Sequence, residues 1–419
     1  MVYMMMFKNT YFFWVFILLF ALISCKQATS STKNTEITKT VSSSLQDNIQ
    51  NATVDTDIII SKPSDYLQLL NKKSVAVVAN QTSVVANLHH RYTHLVDTLL
   101  SLHIDIQKVF SPEHGFRGKA DAGEHITDAT DTKTGLPLIS LYGSNRKPTA
   151  KQLKGIDIVL FDIQDVGVRF YTYISTLHYI MEACAENNIP LLVIDRPNPN
   201  AHYVDGPVLE MKNKSFVGMH PVPLVYGMTI GEYAQMINGE KWLKDGVQCH
   251  LTVMPLKNYT HSTSYSLPIR PSPNLPNDQA INLYPSLGLF EGTTINAGRG
   301  TEMQFQVYGA PFFPKSDFSY TPQPNFGSKY PKHQGKLCYG VDLRKVKKLN
   351  MVDLEWIVDA YRKTPKEELF FGETFTAHAG IDNIRKQLES GMSAEAIRKT
   401  WQKGLVAFKK IRSRYLIYD

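Results

Sequence analysis

The chain runs to 419 residues, 43% of them hydrophobic, which is enough for two domains with buried cores. Its formal charge of +7 is spread out apart from Lys403, Lys409, Lys410, Arg412 and Arg414, and no basic module forms, which argues against a nucleic-acid partner. Four cysteines without CxxC or Cys/His spacing argue against a zinc site.

Residues 1–25 read as a signal segment. Lys8 supplies a positive start, and residues 11–23 are almost wholly apolar. That run is short for a membrane span, which needs ~20 residues, and right for a signal core. It closes on Leu22-Ile23-Ser24-Cys25, an ending similar to a bacterial lipobox, in which Cys25 becomes the lipidated first residue. Residues 26–56 carry 12 Ser or Thr in 31 positions and few large apolar side chains, so they read as a flexible tether. This start predicts a bacterial envelope protein, periplasmic or on the outer membrane, held to the membrane by its N-terminal lipid only. Cys184, Cys249 and Cys338 remain, an odd number that implies a free thiol; Cys184 falls on an apolar helix face and reads as buried.

The globular part alternates strands and helices. Apolar runs at 74–79, 104–110, 156–161 and 191–194 read as buried parallel strands. Stretches at 91–102 and 173–186 show helical spacing. The pattern predicts an α/β fold: a Rossmann-like parallel-sheet domain over 57–283, followed by a smaller α+β domain over 284–419. In the latter, helices are expected at 354–362, 377–389 and 394–407, with Ile381, Ile384, Leu388, Ile397, Trp401 and Leu405 facing inward. Neither GxGxxG nor a P-loop is present, so the sequence offers no device for seating a pyrophosphate.

Chemistry is expected beyond the carboxyl ends of the strands. Three of them end in polar clusters. The second gives Ser111-Pro112-Glu113-His114-Gly115, with Arg117 close behind. The third gives Asp162-Ile163-Gln164-Asp165, then Arg169, Tyr171 and Tyr173. The fourth gives Asp195-Arg196-Pro197-Asn198. Asp195 and Arg196 read equally well as a local ion pair, and Asp162 as a cap. Glu113 contributes no packing, and a binding or catalytic role suits it best. Later in the chain come Tyr226, the Asn274–Asn277 loop, and a glycine-flanked segment carrying Glu291, Arg299 and Glu302, which also reads as a turn with solvated charges.

Taken together, SPEHGFRG, FDIQDVGVRFYTY, DRPNP, VYGMTIGEY and YPSLGLFEGTTINAGRGTE resemble the NamZ-type exo-β-N-acetylmuramidases from about residue 57 to the end. The resemblance implies a cleft between two subdomains and hydrolysis of non-reducing terminal N-acetylmuramic acid from peptidoglycan fragments, in cell-wall turnover. It puts Glu113 on the family's proposed catalytic glutamate and implies no metal or organic cofactor. On this reading Glu113 is the general acid. Glu291, Glu124 or Asp165 is the second group, unless the substrate's 2-acetamido group serves as nucleophile. His114, Arg117, Asp165, Arg169, Tyr171, Tyr173, Arg196, Asn198, Tyr226, Asn274, Arg299 and Glu302 are the expected substrate contacts. One of the four arginines is expected to meet the lactyl carboxylate. The rival reading is a lipoprotein that binds muropeptides or sugars without cleaving them. Stereochemical outcome, peptide-stem preference, membrane face and oligomeric state are not encoded in any motif.

Overall fold

The computed structural model describes residues 58–86, 91–117 and 129–419. The expected signal segment, Cys25, the tether and Glu124 lie outside the described residues.

Helix α1 (Pro63–Leu70) leads into strand β1 (Val75–Ala79). A hairpin of β2 (Val84–Ala86) and β3 (Tyr92–His94) precedes α2 (Leu95–Ser101). Then come β4 (Ile106–Ser111), β5 (Ala129–Thr130), β6 (Pro137–Ser140) and the short α3 (Ala150–Leu153). Strand β7 (Ile158–Asp162), α4 (Tyr173–Glu186), β8 (Leu191–Ile194), α5 (Ile230–Gly239) and β9 (Leu251–Met254) complete this half. Seven strands form one sheet in the order β5-β6-β4-β1-β7-β8-β9, parallel throughout except for the edge pair β5–β6. The sheet has β1 near its middle. Val77 lies beside Val109 on one flank and Leu160 on the other.

Side chains of a strand alternate between its faces, and here both faces are covered. Ala76, Val78, Val159, Phe161, Leu191 and Val193 pack with Ile174, Leu177 and Met181 of α4 and with Tyr233 and Ile237 of α5. Val75, Val77, Leu160, Leu192 and Ile194 pack with Tyr66 and Leu70 of α1 and with Leu95, Val96 and Leu99 of α2. Burial on both faces is why β1, β7 and β8 read as continuous apolar runs.

The rest of the chain opens with α6 (Asp278–Leu287), which spans the division expected at residue 284, and a 3-10 turn at Gly288–Gly292. A three-stranded antiparallel sheet comes next, in the order β10-β12-β11, from β10 (Val307–Ala310), β11 (Ser319–Tyr320) and β12 (Cys338–Asp342). Five helices close the chain: α7 (Glu355–Lys363), α8 (Phe375–Ala379), α9 (Asn383–Glu389), α10 (Ala394–Thr400) and α11 (Gln402–Arg412). The two long helices expected here are each broken in two. Gly380, at φ 80°, ends α8, and Trp401 separates α10 from α11. Ile384, Leu388, Ile397, Trp401 and Leu405 are buried as expected, whereas Ile381 is only half-buried. Cys184, Cys249 and Cys338 are all free and buried.

The chain's end returns to the parallel sheet. Tyr418 donates its hydroxyl to Asp195 at 2.7 Å, and the Ile417 N–H reaches Glu232 at 2.9 Å. Asp205 takes the Arg398 guanidinium and the Trp401 indole N–H.

A second buried network is made of imidazoles. His220 Nε2 lies 2.9 Å from His178 Nδ1, and His220 Nδ1 lies 3.0 Å from the Tyr233 hydroxyl. Burial pulls His178 down to about 4, against the opposing pull of Glu182, and holds His220 well below its usual value. In the unfolded chain both titrate near 6.5. Their contribution to stability is therefore full above pH 6.5 and is lost as pH falls from there toward 4, because the unfolded chain takes protons that the folded one refuses. The melting temperature is expected to drop as pH is lowered from 7 to 4.5, and to drop less in a His178→Gln/His220→Gln variant. Parallel curves for the two proteins would assign the acid sensitivity to other groups.

Candidate active site

Strand β4 ends at Ser111, and the chain turns at once. The Gly115 N–H bonds to the Pro112 carbonyl at 3.1 Å, with His114 at φ 70° and Gly115 at φ 76°. A side chain held in the left-handed region is uncommon and occurs at functional sites. The turn presents Glu113 to a cavity of about 270 Å³. Thr172, at the head of α4, donates its hydroxyl to Glu113 Oε2 at 2.7 Å. Tyr142, just beyond β6, lines the same cavity close to Glu113. Burial, then the Glu113 carboxylate, pushes that phenol up to about 12.

Another part of the wall comes from the C-terminal half. Arg299 grips Glu291 as a fork, Nε to Oε1 and Nη2 to Oε2, both at 3.0 Å. Burial alone would raise the Glu291 pKa, but Arg299 and then Lys332 outweigh it and hold the carboxyl below its usual range. Lys332 is itself tied down, its Nζ donating to the carbonyls of Phe290 at 2.7 Å and Glu291 at 3.2 Å. His378 also lines the cavity. Its Nδ1 faces the Thr374 carbonyl at 2.9 Å and so carries a proton, and burial lowers the ring's pKa against the pull of that carbonyl. Aromatic rings form the apolar lining: Tyr284 packs edge-on against Phe170 at 5.1 Å and Phe305 at 4.7 Å. Asn274 donates its amide to the Gly327 carbonyl and buries an Oδ1 that has no partner among the described residues.

The cavity thus gathers Glu113, His114, Tyr171, Asn274, Glu291 and Arg299 from the expected set. Apart from Glu124, which lies outside the described residues, and the exposed Glu302, the others stand elsewhere, engaged in holding the fold. Arg117 pairs with Asp131 at 2.8 Å and Asp97 at 3.5 Å. Asp165 accepts the Tyr226 hydroxyl and the Gly167 N–H on Oδ2, while its buried Oδ1 has no partner among the described residues; burial pushes Asp165 up to about 6. Tyr173 accepts from Asn80 at 2.8 Å and donates to the Pro271 carbonyl at 3.3 Å. Arg196, expected at the substrate or beside Asp195, forks instead onto Asp162, Nε at 2.5 Å and Nη2 at 2.8 Å. That pair lines a separate cavity of about 320 Å³ beside the β2–β3 hairpin. Asn198 bonds the Met228 carbonyl and the Asn200 N–H, both at 2.8 Å. Glu302 is exposed, outside the cavity wall.

Arg169 is the largest correction. It is fully buried, and it donates to four backbone carbonyls: Pro207 at 2.6 Å, Val222 at 3.0 Å, His378 at 3.2 Å and Ala379 at 2.7 Å. No carboxylate pairs with it among the described residues. Burial lowers its pKa to about 10, so it stays charged at neutral pH.

Tyr142, Thr172, Tyr284 and His378 line the cavity without having been expected. Tyr142 was traceable in principle. Strand β6 runs parallel to β4 with Ser140 beside Ser111, so residues just past each strand share the sheet edge. Nothing local marks His378, which long-range packing delivers.

Among the described residues, no group of three or more His, Cys, Asp or Glu is placed to hold a metal ion. Two family models match the chain: the N-terminal part of the exo-β-N-acetylmuramidase NamZ over residues 75–279, and its C-terminal part over 282–418. A peptidoglycan β-N-acetylmuramidase NamZ from Bacillus subtilis is 39% identical over 378 residues, 84% of this chain and 89% of that protein. Two DUF1343 family crystal structures from Bacteroides fragilis are similar. One is 45% identical with a TM-score of 0.79, the other 27% identical with a TM-score of 0.74; each alignment covers 87% of this chain and 99% of theirs.

A Cβ on Gly380 would collide with Arg169 Nη2, at a φ that side chains rarely adopt. Gly380→Ala is therefore expected to lower the unfolding free energy by about 2–4 kcal/mol, combining backbone strain with disturbed charge-assisted hydrogen bonds. Urea denaturation checks it. A loss under about 0.5 kcal/mol, the range of ordinary surface substitutions, would mean that the Arg169 contacts rearrange freely.

Proposed function

The chain belongs to the NamZ family of exo-β-N-acetylmuramidases, and we propose that it is a lipid-tethered member that uses Glu113 as its proton donor. It is a glycoside hydrolase that removes N-acetylmuramic acid from the non-reducing ends of peptidoglycan fragments.

The observation that carries the mechanism is Glu113 held by the Thr172 hydroxyl, with the Tyr142 phenol beside it, inside a small cavity. Cleaving a glycosidic bond requires a proton for the departing oxygen and stabilisation of positive charge at the sugar. Thr172 fixes the orientation of the Glu113 carboxyl, so proton delivery has a defined direction. Glu291 supplies the second carboxylate. It is ionised and forked to Arg299, so it acts as a fixed anion near the reacting sugar and not as an acid. Arg299 is the one arginine of the four expected candidates on the cavity wall, and it meets the lactyl carboxylate that distinguishes muramic acid from glucosamine.

The lipid tether rests on the lipobox-like ending at Cys25 and the Ser/Thr-rich stretch behind it. It places the enzyme on the bacterial envelope, in reach of wall fragments.

Two assays test this. With a muramyl disaccharide, free N-acetylmuramic acid should be the product by mass. Glu113→Gln should lower kcat by about 10²–10⁴ with an unchanged circular dichroism spectrum, and near-normal turnover would remove Glu113 from the acid role. In the same assay Arg299→Ala should cut kcat/KM on the muraminide far more than on the matching glucosaminide; equal losses would locate carboxylate recognition elsewhere. Separately, Cys25→Ala should move the protein from the membrane fraction to the soluble fraction of cells, and an unchanged distribution would refute lipid anchoring.

A further inference from the structure

A cavity of about 270 Å³ is smaller than the ~300 Å³ at which pockets begin to enclose whole drug-sized ligands. It holds one sugar. The departing part of the substrate therefore lies outside, across the rim.

Beside the cavity runs the segment 323–332, anchored to the wall residues Asn274 and Glu291 and to neighbours of the wall. The Gln323 N–H bonds the Gly300 carbonyl at 2.8 Å, and Asn325 Nδ2 reaches the Thr301 carbonyl at 3.1 Å. Gly327 accepts the amide of Asn274, a wall residue, and Lys332 holds the carbonyls of Phe290 and Glu291. Asn325 and Ser328 exchange backbone hydrogen bonds at 3.0 and 3.2 Å, closing a tight turn with Phe326 at its tip. Gly327 has no room to move inward, because a Cβ there would lie 2.7 Å from the Asn274 side chain.

Between these anchors stand the two most exposed aromatic residues among those described, Phe326 at 64% and Tyr330 at 90%. Each is one or two positions from an anchor, so both rings are carried by backbone tied to the wall while facing water. Apolar rings presented to solvent by a pinned loop mark an interaction site better than scattered exposure does. A pyranose suits such a surface. Its two faces are largely C–H, which pack on an aromatic face, while its hydroxyls stay at the edge in water.

We propose that Phe326 and Tyr330 form the leaving-group subsite, stacking on the N-acetylglucosamine ring next to the scissile bond while the terminal muramic residue fills the cavity. This rests on the muramidase reading above. The two rings bind the departing group, so they discriminate substrates by the unit attached to the first sugar and leave proton transfer to Glu113.

The test compares muramyl disaccharide with methyl β-N-acetylmuraminide, whose leaving group is too small to stack. In a Phe326→Ala/Tyr330→Ala variant, the preference for the disaccharide, as a ratio of kcat/KM values, is expected to fall about tenfold, the scale of one or two ring contacts. The fall should come mainly through KM for the disaccharide. Equal losses on both substrates would make the loop a mere support of the cavity wall and overturn the proposal, as would an unchanged ratio. A wild-type protein that releases N-acetylmuramic acid from neither substrate would overturn the muramidase reading itself, a result separate from either of those.

Discussion

The candidate site depends on a guanidinium buried without a counterion. Removing an isolated charge from water is costly unless hydrogen bonds replace its hydration. Arg169 meets that demand with carbonyls from three separate stretches of backbone, at Pro207, Val222 and the pair His378–Ala379. Those stretches cannot drift apart without stranding the charge. One of them carries His378 to the cavity, and the other two lie in the connection between β8 and α5. The same arginine sits two residues before Tyr171 and three before Thr172, so the grip on Glu113 and the placement of His378 share one fixed point.

Around that point the carboxyl edge of the sheet is divided between two tasks. Asp162 with Arg196, Asp165 with Tyr226, and Asp195 with Tyr418 and Thr229 are closed on themselves and hold loops. Glu113 and the Glu291–Arg299 pair line the cavity. Both sets consist of charged residues just beyond apolar segments. Both sets have partners within the fold. What separates them is place: Glu113 and the Glu291–Arg299 pair line one cavity together, whereas Asp162 and Arg196 line a second one beside the β2–β3 hairpin.

This division explains what the sequence made legible. The parallel strands were readable because burial on both faces leaves unbroken apolar runs, and Glu113 stood out because no packing role suits a carboxylate between Pro112 and His114. Arg169, Arg196 and Asn198 had the same appearance, since strand-end composition carries no record of where a side chain finds its partner. The long C-terminal helices misled for a local reason: the apolar period continues across Gly380 and Trp401 while the backbone does not. Tyr142 depended on recognising β6, a four-residue strand opening with Pro137 and lacking a clear pattern. His378 depended on a contact with a residue 209 positions earlier in the chain.

The fork between Glu291 and Arg299 bears on how the cavity greets an acidic sugar. The pair is locally neutral, so it offers an approaching carboxylate little long-range pull. On the proposed reading, Glu291 and the lactyl carboxylate share one guanidinium, so the fork stays in place while an acidic sugar binds, and a neutral sugar lacks that contact.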